Sequence, residues 1–269
     1  MRVGVVQCGV AHGNVETNVT AVCDWIRQAS HASCDLVVLP ECVLTGYVFE
    51  SREEVEAHAV ALDGPELEQI VQACSNYGMH AVFGTFERLG DQLHNAALLV
   101  GPSGLIGVHR KNHLPFLGGD RFVDLPPNPT PSIFDTAVGK IGIAICYEIR
   151  FPEVARTLTL GGAEIIALPT NWPMASRILA EAFTSVRAAE NMVYFIASNR
   201  NDSECGVQYL GMSRIVDPIG NLVGDAETNT ALIIADLDMR IAQTKKIIFE
   251  SGKFEISPIK DRRPESYRM

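Results

Sequence analysis

The run Leu36-Val37-Val38-Leu39-Pro40-Glu41 has a near copy far down the chain, Ile165-Ile166-Ala167-Leu168-Pro169-Thr170. Each is a short apolar stretch ended by proline, the pattern of a buried strand. Around each copy, strand-like and helix-like segments alternate, which selects the α/β class over separate all-α and all-β domains. In the first half, strands are expected at 3–7, 36–39, 81–86, 96–100 and 105–111, and a helix at 18–32. A second helix opens at Gly64-Pro65, carries Leu67, Ile70, Val71 and Cys74 at helical spacing, and closes at Gly78. In the second half, strands are expected at 141–145, 165–168, 193–198, 212–216, 221–223 and 232–237, with helices at 152–160 and 175–191. Each half has a hairpin with proline and glycine at its turn, Gly101-Pro102-Ser103-Gly104 and Asp217-Pro218-Ile219-Gly220.

Two similar sheets, each with helices on one face, can bury their bare faces against each other. The expected architecture is therefore a four-layer α-β-β-α sandwich of two pseudo-repeated sheets. Neither half could cover its own sheet, so residues 1–269 read as a single domain. The segment 125–131, rich in proline, is a rigid crossing between the halves. Periodicity fades after Phe254, so 255–269 reads as a C-terminal tail that either packs on a partner subunit or is loosely ordered.

A net charge of −10 disfavours nucleic acid and anionic membranes as partners, since both attract basic surfaces. No window approaches the roughly 20 apolar residues that span a bilayer, and the N-terminus lacks the pattern of a signal peptide. The seven cysteines (Cys8, Cys23, Cys34, Cys42, Cys74, Cys146 and Cys205) are scattered and form no CxxC pair. A disulfide framework and a structural metal are not expected, and the chain reads as a reduced cytoplasmic protein.

Three of the expected strands end in reactive side chains. The run at 36–39 delivers Glu41, the strand through Val108-His109-Arg110 delivers Lys111, and Ile141-Gly142-Ile143-Ala144-Ile145 delivers Cys146. Strand ends are where α/β folds place their chemistry. A thiol needs a base in contact or a nearby positive charge to become a nucleophile. The oxyanion of acyl transfer needs donors aimed at it, each typically worth roughly 100 to 1,000-fold in rate. Glu41 suits the base, and Lys111 suits both the positive field and one donor. The backbone N–H of Tyr147 could supply the other donor. Taken singly, a strand-end cysteine is usually a small buried hydrophobe, the glutamate a helix cap and the lysine a solvated charge. The coincidence of the three points to covalent acyl transfer.

These segments resemble the nitrilase superfamily of carbon–nitrogen hydrolases. The resemblance rests on Pro40-Glu41 with Thr45-Gly46-Tyr47, on His109-Arg110-Lys111-Asn112-His113-Leu114, and on Cys146-Tyr147-Glu148-Ile149-Arg150-Phe151-Pro152-Glu153. It continues, in order, through Leu168-Pro169-Thr170-Asn171-Trp172-Pro173, Arg187-Ala188-Ala189-Glu190-Asn191 and the block from Gly211 to Gly220. It implies the α-β-β-α sandwich, assembly into homodimers or larger homo-oligomers, and a cofactor-free Glu-Lys-Cys triad. Glu41 would be the general base, Lys111 would stabilise the tetrahedral intermediate, and Cys146 would form a thioester. Many members carry a further, substrate-orienting glutamate between the lysine and the cysteine. The nearest acid here is Asp120 of Gly118-Gly119-Asp120-Arg121-Phe122, which either replaces it or pairs with Arg121 on a loop. Glu148, Arg150, Glu153, Arg187 and Glu190 read as ion pairs that hold the catalytic loops. His109 and His113 bracket Lys111, and no third metal ligand is suggested.

Within the superfamily the reaction is amide, N-carbamoyl or nitrile hydrolysis. Tyr147 after the thiol differs from the Cys-Trp-Glu block of true nitrilases, and Ile149 replaces one arginine of the pair used by D-carbamoylases. The expected substrate is a small linear primary amide, in a pocket walled by Tyr47, Tyr147, Asn171 and Trp172. A silent binding or assembly module is the alternative of a different class, and the intact triad argues against it. A papain-like peptidase would need a histidine base, and none of the seven histidines lies in such a block.

Overall fold

The computed structural model describes residues 1–267. The first half runs β1 (Arg2–Gln7), α1 (Val15–His31), β2 (Leu36–Val38), α2 (Arg52–His58), α3 (Pro65–Tyr77), β3 (His80–Leu89), β4 (Gln92–Gly101) and β5 (Gly104–Arg110). The second runs β6 (Ile133–Thr136), β7 (Gly139–Ile143), α4 (Pro152–Leu160), β8 (Ile165–Pro169), α5 (Thr184–Asn191), β9 (Tyr194–Ser198), β10 (Ser203–Glu204), β11 (Val207–Gln208), β12 (Arg214–Val216) and β13 (Leu222–Asp225). The chain then adds β14 (Ala231–Asp236), α6 (Met239–Thr244), β15 (Ile247–Glu250) and β16 (Phe254–Ile256).

Two six-stranded sheets form, ordered β14-β1-β2-β3-β4-β5 and β6-β7-β8-β9-β12-β13. In each, three central strands are parallel and the outer pairings antiparallel. The repeated run occupies the third strand of both orders, β2 and β8, and these two strands meet across the sandwich. The expected pseudo-repeat is thus present in the topology.

The continuous apolar character of the parallel strands has its reason in burial on both faces. Between the sheets lie Val3, Val5, Leu36, Val38, Val82 and Leu99 against Ile141, Ile143, Ile165, Ala167, Ile196 and Ile215. On the outer face of the first sheet, Val19, Val22 and Ile26 of α1 and Leu67, Ile70 and Cys74 of α3 cover Val37, Phe83 and Leu98. Ala155 and Leu158 of α4 and Ala188 of α5 cover Ile166, Leu168 and Phe195 of the second. Each fully buried aliphatic side chain contributes roughly 1.5–3 kcal/mol, so leaving either inner face bare would be prohibitive. At the sandwich edge Gly107 of β5 faces Phe134 of β6 so closely that a Cβ would sit 2.0 Å from its ring.

Several elements differ from the sequence-based expectation. The helix expected over 175–191 is broken into a 3₁₀ turn at Met174–Ser176, a π turn at Leu179–Phe183 and α5. The Thr184 hydroxyl and the Arg214 guanidinium both donate to the Ala180 carbonyl, at 2.7 and 3.0 Å, and compete with regular helical bonding there. Helix α2 buries only Val55, so it leaves no apolar period to read, although Ser51 caps it by accepting from the Glu54 N–H. Strand β6 follows the proline-rich crossing segment. Strands β15 and β16 form a hairpin that straddles residue 255, so the tail does not begin where periodicity fades. Arg262 and Tyr267 of that tail line a cleft with Pro152, Arg156 and Glu190. Its last two residues, Arg268 and Met269, lie outside the described residues. No helix among those residues is long and apolar enough to cross a membrane.

Candidate active site

Glu41, Lys111 and Cys146 follow β2, β5 and β7 and converge at one edge of the sandwich. Glu41 and Lys111 are buried. The Lys111 ammonium donates to Glu41 Oε1 at 2.7 Å and to Asp120 Oδ2 at 2.6 Å. Asn95, in the middle of β4, donates through Nδ2 to Glu41 Oε1 and to Asp120 Oδ1, both at 2.8 Å. The Tyr47 hydroxyl donates to Asp120 Oδ2 at 2.9 Å. One cation is therefore shared by two carboxylates, and an amide bridges them from behind. Asp120 does not pair with Arg121, whose guanidinium reaches Glu50 and two carbonyls instead.

Burial lifts the Glu41 carboxyl above the usual carboxylate range, against the pull of Lys111 and Asn95. Burial also opposes the Lys111 charge, yet Asp120 and Glu41 hold the ammonium well above its ordinary value. Glu41 Oε2 is buried without a hydrogen-bond partner. That oxygen is the free acceptor of the cluster, the atom a proton could reach.

Cys146 leaves the strand through a left-handed backbone turn, φ 42°, and begins a short 3₁₀ turn. A non-glycine residue held there is strained, and such strain gathers at functional sites. Burial pushes its thiol up to about 12, and the Glu41 charge adds to the rise, whereas Lys111, Thr170 and the Asn171 N–H favour the thiolate. The thiol rests protonated beside a base and a cation. The first hydrogen bond of the turn runs from Glu148 N–H to the Ile145 carbonyl at 2.9 Å, which leaves the Tyr147 N–H ahead of it.

Glu148 ties this turn to the lysine segment. Its carboxylate accepts from the Ile145 N–H at 2.8 Å and the Asn112 N–H at 2.9 Å, and contacts His109 Nε2 at 2.6 Å and His113 Nδ1 at 3.4 Å. Burial alone would raise its pKa, but these partners hold the carboxyl far below the usual range. Arg187 pairs with Glu190 at 2.8 Å and donates to the Ile149 carbonyl at 3.0 Å. Arg150 and Glu153 depart from the expected loop-holding role. Both are exposed, and no ion pair joins either to another described residue. Arg150 stands at the cavity mouth.

The thiol opens on a cavity of about 340 Å³ lined by Tyr47, Tyr147, Asn171 and Trp172, the four side chains expected as walls. Leu179 of the π turn and Tyr209 also line it. The Asn171 amide, Trp172 Nε1 and the Tyr209 hydroxyl are buried there without protein partners. The sequence reading missed Asn95, Thr170 and Tyr209. An amide inside the apolar run Leu93-His94-Asn95-Ala96-Ala97 was the signal for the first. Thr170 occupies the place of Glu41 in the repeated run. Tyr209 follows a two-residue strand and leaves no pattern.

A family model of carbon–nitrogen hydrolases matches residues 2–246. A protein named nitrilase from Pyrococcus abyssi is 37% identical over 246 residues, covering 90% of this chain and 89% of that one. A chloroplastic omega-amidase from Arabidopsis thaliana is 31% identical over 259 residues, 91% of this chain and 69% of its own length. The structure of an amidase from Nesterenkonia sp. AN1 superimposes with a TM-score of 0.81 at 20% identity, covering 99% of this chain and 98% of that one. The sandwich, the edge-placed cluster and the match over residues 2–246 agree: this chain belongs to the carbon–nitrogen hydrolase family of the nitrilase superfamily.

Proposed function

We propose that the protein hydrolyses small linear primary amides to a carboxylate and ammonia through a Cys146 thioester. The observation that carries this reading is the buried Glu41–Lys111–Asp120 cluster beside a cavity-facing thiol, with one Glu41 oxygen free to take a proton. Glu41 accepts the thiol proton as sulfur attacks the amide carbon. The carbonyl oxygen gathers negative charge, which the Lys111 ammonium and the Tyr147 N–H stabilise. The C–N bond then breaks, Glu41 hands its proton to the leaving nitrogen, and ammonia departs. Glu41 next takes a proton from water, whose oxygen attacks the thioester. Glu41 returns that proton to sulfur as the C–S bond breaks, and the carboxylic acid leaves and ionises, its proton going to the released ammonia.

The raised Glu41 pKa suits a group that must both accept and donate a proton in the cycle. Asp120 touches Lys111 and Tyr47 rather than the cavity, so its part is to hold the ammonium. A cavity of about 340 Å³ lies at the small end for ligand sites and favours a short acyl group. Tyr47, Tyr147, Asn171 and Trp172 are its specificity walls. The omega-amidase relatives support the amide branch. Assembly into homodimers or larger homo-oligomers, in the cytoplasm, completes the reading.

The test is ammonia release from a panel of primary amides, N-carbamoyl compounds and nitriles, wild type beside Cys146→Ala. Release from amides that vanishes in the variant is the expected result. Release chiefly from nitriles would move the protein to the branch whose name the Pyrococcus relative carries. Release that persists in Cys146→Ala would end the thioester mechanism.

A further inference from the structure

Another buried ion pair stands behind the cavity wall and plays no part in the chemistry just described. Arg200 and Glu204 are both buried. One Glu204 oxygen accepts from the Arg200 guanidinium. The other accepts from two successive backbone N–H groups, those of Tyr47 and Val48, each at 2.7 Å. His12 Nε2 lies 3.6 Å from that same oxygen. Arg200 is itself fixed by a bidentate bond to Asp202, at 2.9 and 2.7 Å, and lies 4.4 Å from the centre of the Tyr209 ring.

The local backbone is built to admit this carboxylate. Gly46, at φ 82°, leaves space where a Cβ would come within 3.0 Å of Glu204 Oε1 and 3.2 Å of the His12 backbone. The two N–H groups then point at one oxygen, a small anion nest. Tyr47 leaves this grip with its carbonyl accepting from the Gly119 N–H at 2.7 Å and its hydroxyl donating to Asp120. Asp120 in turn holds Lys111. A chain of direct contacts therefore leads from Glu204 to the ammonium.

We propose that Glu204, anchored by Arg200, is a positioning residue for the reaction: through the Tyr47 backbone, the Tyr47 hydroxyl and Asp120 it sets where the Lys111 ammonium stands. This inference rests on the proposed roles of Lys111 and Cys146. A misplacement near 1 Å remote from reacting atoms can cost about 100-fold in rate. Glu204→Asp keeps the charge that Arg200 needs but withdraws the carboxylate from the two N–H groups by one methylene.

The experiment uses iodoacetamide, a small primary amide that alkylates thiols, with labelling of the Cys146 peptide followed by mass spectrometry. Glu204→Asp should lower the maximal alkylation rate roughly 10 to 100-fold and leave the half-saturating concentration within about threefold. In a Tyr47→Phe background the same change should add less than about twofold, because the hydroxyl link from Tyr47 to Asp120, the contact proposed to carry the effect, is already cut. A Glu204→Asp rate equal to wild type, or losses that simply multiply with Tyr47→Phe, would overturn the proposal. Thermal melting checks folding. If Glu204→Asp does not fold, Arg200→Lys, which loosens the anchor without removing its charge, is expected to show the same dependence on Tyr47. Glu41→Gln serves as the separate control. If that variant alkylates as fast as wild type, the reading of the triad fails, whatever Glu204 does.

Discussion

Cys146 and Cys8 stand at matching places in the two halves. Each follows the second strand of its sheet order, β7 or β1, and burial pushes each thiol up to about 12. Their surroundings separate them. Cys8 packs with Val10 and Val22 in the core beneath the helices of the first half, and bridges to Arg200 through the backbone. Cys146 turns out of its strand at positive φ onto a cavity, with Glu41 and Lys111 acting on its sulfur. The comparison teaches that a thiol pKa does not choose the nucleophile. Access and a free proton acceptor do. Cys146→Ala should therefore reduce amide hydrolysis by about 10⁴-fold or more, as loss of a covalent nucleophile does elsewhere. Cys8→Ala should leave the rate within about twofold and lower the melting temperature, since deleting buried side-chain atoms typically costs about 1 kcal/mol. A comparable loss of rate from Cys8→Ala would break the contrast.

The next difference between the halves is Asn95. It belongs to the first sheet alone and bridges Glu41 and Asp120 from β4. Its amide favours the ionised form of Glu41, so Asn95→Leu should raise that pKa further. The base acts when deprotonated and is lost as pH falls through its pKa. The acid limb of kcat/KM should move to higher pH, with a loss of roughly 10 to 100-fold at neutrality from the missing hydrogen bonds. A profile that falls at lower pH than wild type would show that Asn95 does not hold the carboxylate.

Much of this contrast could be read before folding, and the reason is physical. Parallel strands buried on both faces write themselves as unbroken apolar runs, so β2 and β8 and the residues they deliver stand out. The side chains just past a strand end follow from that register, which is why Glu41, Lys111 and Cys146 were legible together. Asn95 was not. It lies one residue before the expected start of its strand, and only the approach of Asp120 from another loop gives its amide a purpose. Whether Asp120 meets Arg121 or Lys111 depends on the path of residues 112–120, which no periodicity encodes. The break in the 175–191 helix was hidden for a similar reason. Arg214, which competes for the Ala180 carbonyl, comes from a distant strand.

Glu148 joins the halves rather than distinguishing them, and its removal should act on both rate and stability. Its carboxyl is held below its ordinary value of 4.5 by His109, His113 and backbone N–H groups. A depressed carboxylate adds stability that is fully present above the unfolded value and lost as pH falls toward the folded one. Glu148→Gln should melt at lower temperature than wild type at neutral pH, and the gap should narrow as the pH is lowered below about 4.5. The rate should fall about 10-fold, because Asn112 beside Lys111 loses its anchor. A gap in melting temperature that stays constant from neutral pH down to acid would mean that the charge of Glu148 contributes nothing.

The smallest expected effect tests the repeated run itself. Thr170 holds in the second half the place that Glu41 holds in the first, and it is equally buried. Its hydroxyl makes no hydrogen bond of full geometry, yet it lies near enough to the Cys146 sulfur to favour the thiolate. Thr170→Val removes that oxygen at nearly constant shape. The two consequences have opposite signs. Loss of a weak donor to sulfur should slow Cys146 alkylation by iodoacetamide about three- to tenfold, the equivalent of one modest hydrogen bond. Removal of a buried hydroxyl without a good partner should leave the melting temperature unchanged or raise it. A lower rate with undiminished stability would assign to Thr170 a share in tuning the nucleophile. An unchanged rate would mean that the second copy of the run carries only packing, and that the chemistry of the strand-end position belongs to Glu41 alone.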